Sequence, residues 1–133
     1  MINKTKQNII NLNENEIFVF GSNLSGRHGK GAAKIALKWG AKYGQCCGIQ
    51  GNTYAIPTKD KKMKTLPLNI IKNYINTFIN YAKNNNQKIF LVTEIGCGLA
   101  GYNPIDIAPL FKKSIIYKNI YLPESFWKIL ISI

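Results

Sequence analysis

Residues 17–31, IFVFGSNLSGRHGKG, run an apolar segment, Ile17 to Phe20, straight into a loop that holds Gly21, Gly26, Gly29 and Gly31. The segment AAKIALKW follows, and its apolar spacing predicts a helix from Ala32 to about Tyr43, with Gly44 at the C-cap. A strand that is apolar at successive positions is buried on both faces, as strands of parallel sheets are. Glycine weakens a chain entropically, so a loop this rich in it needs positive φ angles or close approach of something to the backbone.

The same arrangement recurs. KIFLVTEI, residues 88–95, predicts the clearest strand in the chain, and GCGLAGYN comes directly after it. Between the two units, residues 53–56 predict a strand stopped by Pro57. Residues 66–83 place Leu68, Ile71, Tyr74 or Ile75, Phe78 and Tyr81 or Ala82 on one helical stripe. Asn103 and Pro104 read as N-cap and first residue of a helix to about Lys113, NIYL at 119–122 as a strand, and the stretch from Pro123 as a last helix. Strands alternating with helices predict an α/β fold with parallel pairs, and 133 residues at 46% hydrophobic suffice for one domain, residues 1–133.

In an open α/β sheet, ligands bind at the rim formed by the carboxyl ends of the strands. Both glycine loops are expected at that rim, each leading into a helix N-terminus whose free N–H groups attract an anion, above all phosphate. Two such loops on neighbouring strands would hold a diphosphate. Neither loop is a P-loop, and although GCGLAG spells G-x-G-x-x-G, it lies too late in the chain for a first nucleotide-binding unit.

Composition restricts the partners. Eighteen Lys plus Arg against six Asp plus Glu give a net charge of +12, which suits anionic ligands and leaves nucleic acid as a secondary candidate. The lysines are scattered through an Ile-, Asn- and Lys-rich chain, so they mark no patch. Of Cys46, Cys47 and Cys97, the first two are adjacent, which disfavours a bond between them, and no C-x-x-C spacing exists. Neither a disulfide framework nor a metal site is therefore expected, and no cofactor is implied. The absence of an apolar leader, or of a run near the roughly 18 apolar residues a span requires, argues against a membrane partner and for the cytoplasm.

The loops also carry a resemblance. GSNLSGRHGKGAA and the later IGCGLAGY are similar, in order and placement, to the macro domain, the fold that binds ADP-ribose and its derivatives. IGCGL and YAIPTKD, residues 54–60, resemble most closely the branch of terminal ADP-ribose glycohydrolase and ADP-ribose-1''-phosphate phosphatase. The likeness covers residues 16 to about 123, and it is the kind seen in small macro-like proteins of bacteria and their phages. It implies a single macro-type domain with a mixed, largely parallel sheet flanked by helices.

Carried over residue by residue, the resemblance implies a ligand site made of Gly21, Ser22, Asn23, Leu24, Gly26, Arg27, Gly29, Gly31 and Ala32 in the first loop. Gly96, Cys97, Gly98, Leu99, Ala100, Gly101 and Tyr102 supply the second. Asn23 would contact the distal ribose, Gly96 to Gly101 would wrap the diphosphate, and Tyr102 would stack on the ligand or close over it. Lys59 matches the lysine that attacks the C1'' carbon in the glycohydrolase, but the partner acid of that enzyme is replaced here by Ala100.

Chemistry by the residues themselves has few candidates. His28, the only histidine, adjoins the only arginine, Arg27; an imidazole there would act as a base and a guanidinium would pair with phosphate. Asp60, beside Lys59, is the replacement general base, and Glu94 lies on the strand before the second loop. Asp106 reads as helix capping, and Cys97 as a small packed residue rather than a nucleophile. Three functions follow as expectations: an ADP-ribose binder that hydrolyses an ADP-ribosyl linkage or terminal phosphate, a non-catalytic sensor of an NAD-derived nucleotide, or a basic nucleic-acid-binding module.

Overall fold

A computed structural model describes residues 2–132 as one α/β domain. Strands β1 (Lys4–Thr5), β2 (Glu16–Asn23), β3 (Gly48–Gln50), β4 (Thr53–Lys59), β5 (Ile89–Val92) and β6 (Ile120–Pro123) form one sheet in the order β1-β6-β5-β2-β4-β3. Every neighbouring pair is parallel except β4 with β3. The sheet is thus mixed and largely parallel, as expected. Helices α1 (Gly31–Ala36), α2 (Leu68–Lys83), α3 (Pro104–Ile107) and α4 (Glu124–Leu130) flank it, with 3-10 turns at Leu37–Trp39 and Ala108–Ile116.

Alternation along β2 and β4 divides the core. Ile17, Val19, Tyr54 and Ile56 face the larger cluster beneath α2, the long 3-10 turn and α4, whereas Phe18, Phe20 and Ala55 face a smaller one with Ala33 and Ala36 of α1. On α2, Ile71, Ile75, Phe78, Ile79 and Ala82 form the buried stripe that the spacing predicts. Phe20, Phe78, Phe90, Phe111 and Phe126 are fully buried, and each contributes roughly 1.5–3 kcal/mol by leaving water.

Several boundaries differ from the sequence reading, each for a local reason. The first helix stops early: α1 gives way at Leu37 to a 3-10 turn, and Gly40, at φ 108°, caps that turn, so Gly44 is not the C-cap. Strand β4 continues through Pro57 to Lys59. Its partner β3 pairs only as far as Ala55 and residues 65–66 pair with β4 only at Thr58 and Lys59, so Pro57 falls in a gap on that side of β4 where a missing N–H costs little. Strand β5 ends at Val92 rather than Ile95. Pro109 cuts the third helix to four α-helical residues, and the chain goes on as 3-10 turns. Asn103 and Asp106 form a reciprocal capping box there, which accounts for Asp106 as expected. The short edge strands β1 and β3 had no sequence signal.

Candidate functional site

From β2 the chain crosses to β4 on one side, and β5 then adds on the other, so the strand order reverses at β2. The crevice of a parallel sheet opens at such a point. A cleft of about 560 Å³ lies there, lined from both glycine loops and from the end of β4. The side chain of Leu99 reaches to 3.9 Å from where a Cβ on Gly31 would sit, so the loops face each other across it.

Each loop is held open by its own bonds. Asn23 is buried, accepts from the Ser25 hydroxyl at 2.8 Å and the Arg27 N–H at 2.9 Å, and donates to the Arg27 carbonyl at 2.8 Å. In the second loop the N–H of Tyr102 reaches the Gly96 carbonyl at 2.9 Å and that of Gly101 the Gly98 carbonyl at 3.0 Å. Thr65 Oγ1 donates to the Ala100 carbonyl and the Tyr102 hydroxyl to the Leu66 carbonyl, both at 2.7 Å, which fastens this loop to residues 60–66. The backbone N–H groups of Gly98, Leu99 and Ala100, and those of Gly29 to Ala33, donate to no acceptor among the described residues. Two rows of free donors therefore border one cleft.

The glycines divide by purpose. Gly26, at φ 69°, touches residue 44 so closely that a Cβ would lie 2.4 Å from its carbonyl carbon, and a Cβ on Gly96 would lie 2.9 Å from Ile107 Cδ1. Those two serve packing. Gly29, Gly98 and Gly101 have no heavy atom within 4 Å of a Cβ position, and of these Gly29 and Gly98 line the cleft and leave room for a ligand against the backbone.

Of the residues expected at the site, Gly21, Ser22, Asn23, Arg27, Gly29, Gly31, Ala32, Lys59, Gly96, Gly98, Leu99 and Ala100 line the cleft. Others do not. His28 is 0% exposed, with Nε2 at 3.0 Å from the Gln45 carbonyl and its ring edge-on to Phe20; it is a core histidine, not a solvent-facing base. Asp60 Oδ1 accepts the N–H groups of Lys62 and Lys64 at 2.8 and 3.0 Å, so its carboxylate builds the turn at Met63 instead of facing the cleft. Tyr102 and Leu24 pack on the larger core, and Tyr102 neither stacks over the cleft nor closes it. Gly101 is exposed and does not line the cleft. Cys97 also packs on the core, and burial first, then the Glu94 and Asp106 carboxylates, push its thiol up to about 11. The second loop reaches α3 only after residues 102–103, and the capping box occupies that helix N-terminus, so the free amides at 98–100 belong to the loop, whereas those of Gly31 to Ala33 are the first turn of α1.

Cys46 and Cys47 are bonded to each other, contrary to the sequence expectation. Gly44 and Gly48, at φ 95° and 81°, flank the pair and let the chain turn so that both side chains meet on one side.

The sequence reading missed Tyr43, Met63, Thr58 and Thr93. Tyr43 is 65% exposed at the cleft and edge-on to His28, with ring centroids 6.3 Å apart. An aromatic side chain just beyond a helix and next to Gly44 was the available signal; Met63, in a lysine-rich turn, offered none. Glu94 lines the cleft and accepts from the Ser125 hydroxyl at 2.6 Å. Arg27 and Lys59 form no ion pair among the described residues.

No protein-family model matches the chain, and neither does any curated protein. Among solved structures, the chain is similar to one described as a protein of unknown function from Bacteroides thetaiotaomicron. The two share 16% identity at a TM-score of 0.60, over 81% of this chain and 85% of that one. The likeness is one of α/β fold. Among the described residues, no helix is long and apolar enough to cross a membrane.

Proposed function

We propose that the cleft binds ADP-ribose or a related NAD-derived nucleotide, gripping it by the diphosphate. One observation carries the reading: residues 29–33 and 98–100, whose N–H groups have no acceptor among the described residues, line the same cleft at the ends of adjacent parallel strands. Backbone amides in such concave rows suit phosphate oxygens. Arg27 and Lys59 add positive charge without a competing partner among the described residues. The resemblance of both loops to the macro domain supports the same ligand.

Binding without turnover is favoured over hydrolysis. His28 is buried, Asp60 is engaged in its turn, and a methyl group stands at Ala100, where the related glycohydrolase has its acid. Hydrolysis of an ADP-ribosyl linkage is the second reading, favoured by one fact: Lys59 and Glu94 line the same cleft. The neutral Lys59 amine would attack C1'' and displace the leaving oxygen, Glu94 would take the amine's proton and pass it to that oxygen, and water would then cleave the lysine–ribosyl bond.

Calorimetric titration with ADP-ribose at low and high salt tests the proposal. Saturable binding that loses little affinity with salt is expected, because a recessed diphosphate is poorly screened. No binding of ADP-ribose, together with steeply salt-dependent binding of nucleic acid, would replace this reading with the basic-module one.

A further inference from the structure

The segment that carries the bonded cysteines is fastened to the first glycine loop at four points. Ser22 Oγ donates to the Cys46 carbonyl at 2.5 Å, and His28 Nε2 lies 3.0 Å from the Gln45 carbonyl. The Gly44 N–H donates to the Gly26 carbonyl at 2.8 Å, and Gly26 leaves no room for a Cβ against residues 44–45. Gln50 Nε2 shares the Gln45 carbonyl at 3.0 Å. Ser22 and Tyr43 both line the cleft, so the same segment contributes one wall and holds another. Cys46 and Cys47 are partly exposed, within reach of a small thiol.

We propose that Cys46 and Cys47 form a reversible thiol–disulfide exchange site that sets the affinity of the cleft, the bonded form being the one that binds. The proposal rests on the nucleotide reading of the cleft for its effect on ligand, but not for its effect on the loop. The co-reactant is a dithiol reductant. One of its thiolates attacks one protein sulfur, the other protein sulfur leaves as a thiolate and takes a proton, and the second thiolate of the reductant resolves the mixed disulfide. Two electrons pass to the protein, which ends with two thiols, and the reductant ends as a disulfide. Opening the ring frees the backbone at residues 46 and 47, and with it the carbonyls that hold Ser22 and His28. A loosened wall must be re-ordered when ligand binds, which lowers affinity. Cys97 is a free cysteine packed on the larger core cluster and takes no part in this exchange.

The test uses the whole protein in two states, diamide-oxidised and dithiothreitol-reduced, each assigned by alkylation and mass spectrometry. Two readings are taken, ADP-ribose affinity and hydrogen exchange of the amides at 21–33 without ligand. Reduction is expected to weaken binding roughly 2- to 10-fold and to speed exchange at 21–33. The Cys46→Ser/Cys47→Ser protein should match the reduced state and ignore reductant. Equal exchange in both states, or alkylation of Cys46 and Cys47 after oxidation, would overturn the proposal. Faster exchange on reduction in a protein that binds ADP-ribose in neither state would sustain the exchange site and sink the nucleotide reading alone.

Discussion

Leu99 Cδ1 stands 3.9 Å from the Cβ position of Gly31, and this approach joins two cleft-lining residues that are 68 positions apart. The loops meet because β2 and β5 are paired in parallel from Glu16↔Ile89 to Val19↔Val92. Their carboxyl ends therefore release both loops at the same rim.

Gly98→Glu is the cleanest disruption. A side chain there meets nothing within 4 Å, so the fold should persist, while a carboxylate beside the amides of residues 98–100 repels phosphate. ADP-ribose affinity in calorimetry should fall at least about tenfold with little change in melting temperature. Unaltered affinity would remove the second loop from the site.

Gly26→Ala should behave in the opposite manner. It adds a methyl 2.4 Å from backbone at φ 69°, so the cost is expected to be about 2–4 kcal/mol in urea unfolding, from strain together with displacement of residues 44–45. A variant as stable as the parent would contradict the close approach.

Asn23→Ala deletes three hydrogen bonds that shape the first loop. Two of the partners are backbone groups of Arg27, and a loss of about 1–3 kcal/mol follows. Denaturant titration measures it, and ligand affinity should drop as well because Arg27 and Gly29 lose their support.

How much of this could be read in the chain depends on the range of the interactions. Both glycine loops, their strands and the stripe on α2 were legible, since period and turn chemistry are local. Strand β3 was not, because three residues at 48–50 are recruited by pairing with residues 53–55. The place of Lys59 at the rim came only from the resemblance of YAIPTKD, since the strand was expected to stop at Pro57, and the loss of His28 and Asp60 from the site had no signal. Burial of His28 depends on Phe20 and on Gln45, 17 residues away, and the engagement of Asp60 depends on the Met63 turn, which at φ 65° is rare for a side chain. The Cys46–Cys47 bond was missed for the opposite reason: adjacency argued against it, and the flanking glycines that permit it carry no specific signal.

Lys59→Ala and Arg27→Ala should each weaken ADP-ribose binding about tenfold, the value of a charge-assisted hydrogen bond reduced by exposure to solvent. If the protein turns over an ADP-ribosyl substrate, Lys59→Ala and Glu94→Gln should abolish product formation, followed by mass spectrometry, and Glu94→Gln should spare binding. An active Lys59→Ala protein would take lysine out of the chemistry.

The Cys97 thiol, raised to about 11 by burial, reacts only as thiolate. Because the shift is upward, thiolate appears later in pH than for a free cysteine. Its alkylation should therefore be slow at pH 8 and accelerate about tenfold per unit towards pH 11. A plateau by pH 9 would place Cys97 in open water.

Whether the two rows of amides hold the diphosphate is read most directly by an amide-resolved NMR titration with ADP-ribose. The largest shifts are expected on the N–H groups of residues 29–33 and 98–100 together, saturating at one ligand per chain. Shifts spread over the lysine-bearing surface, or confined to the separate groove lined by Lys6, Asn11 and Tyr121, would contradict it.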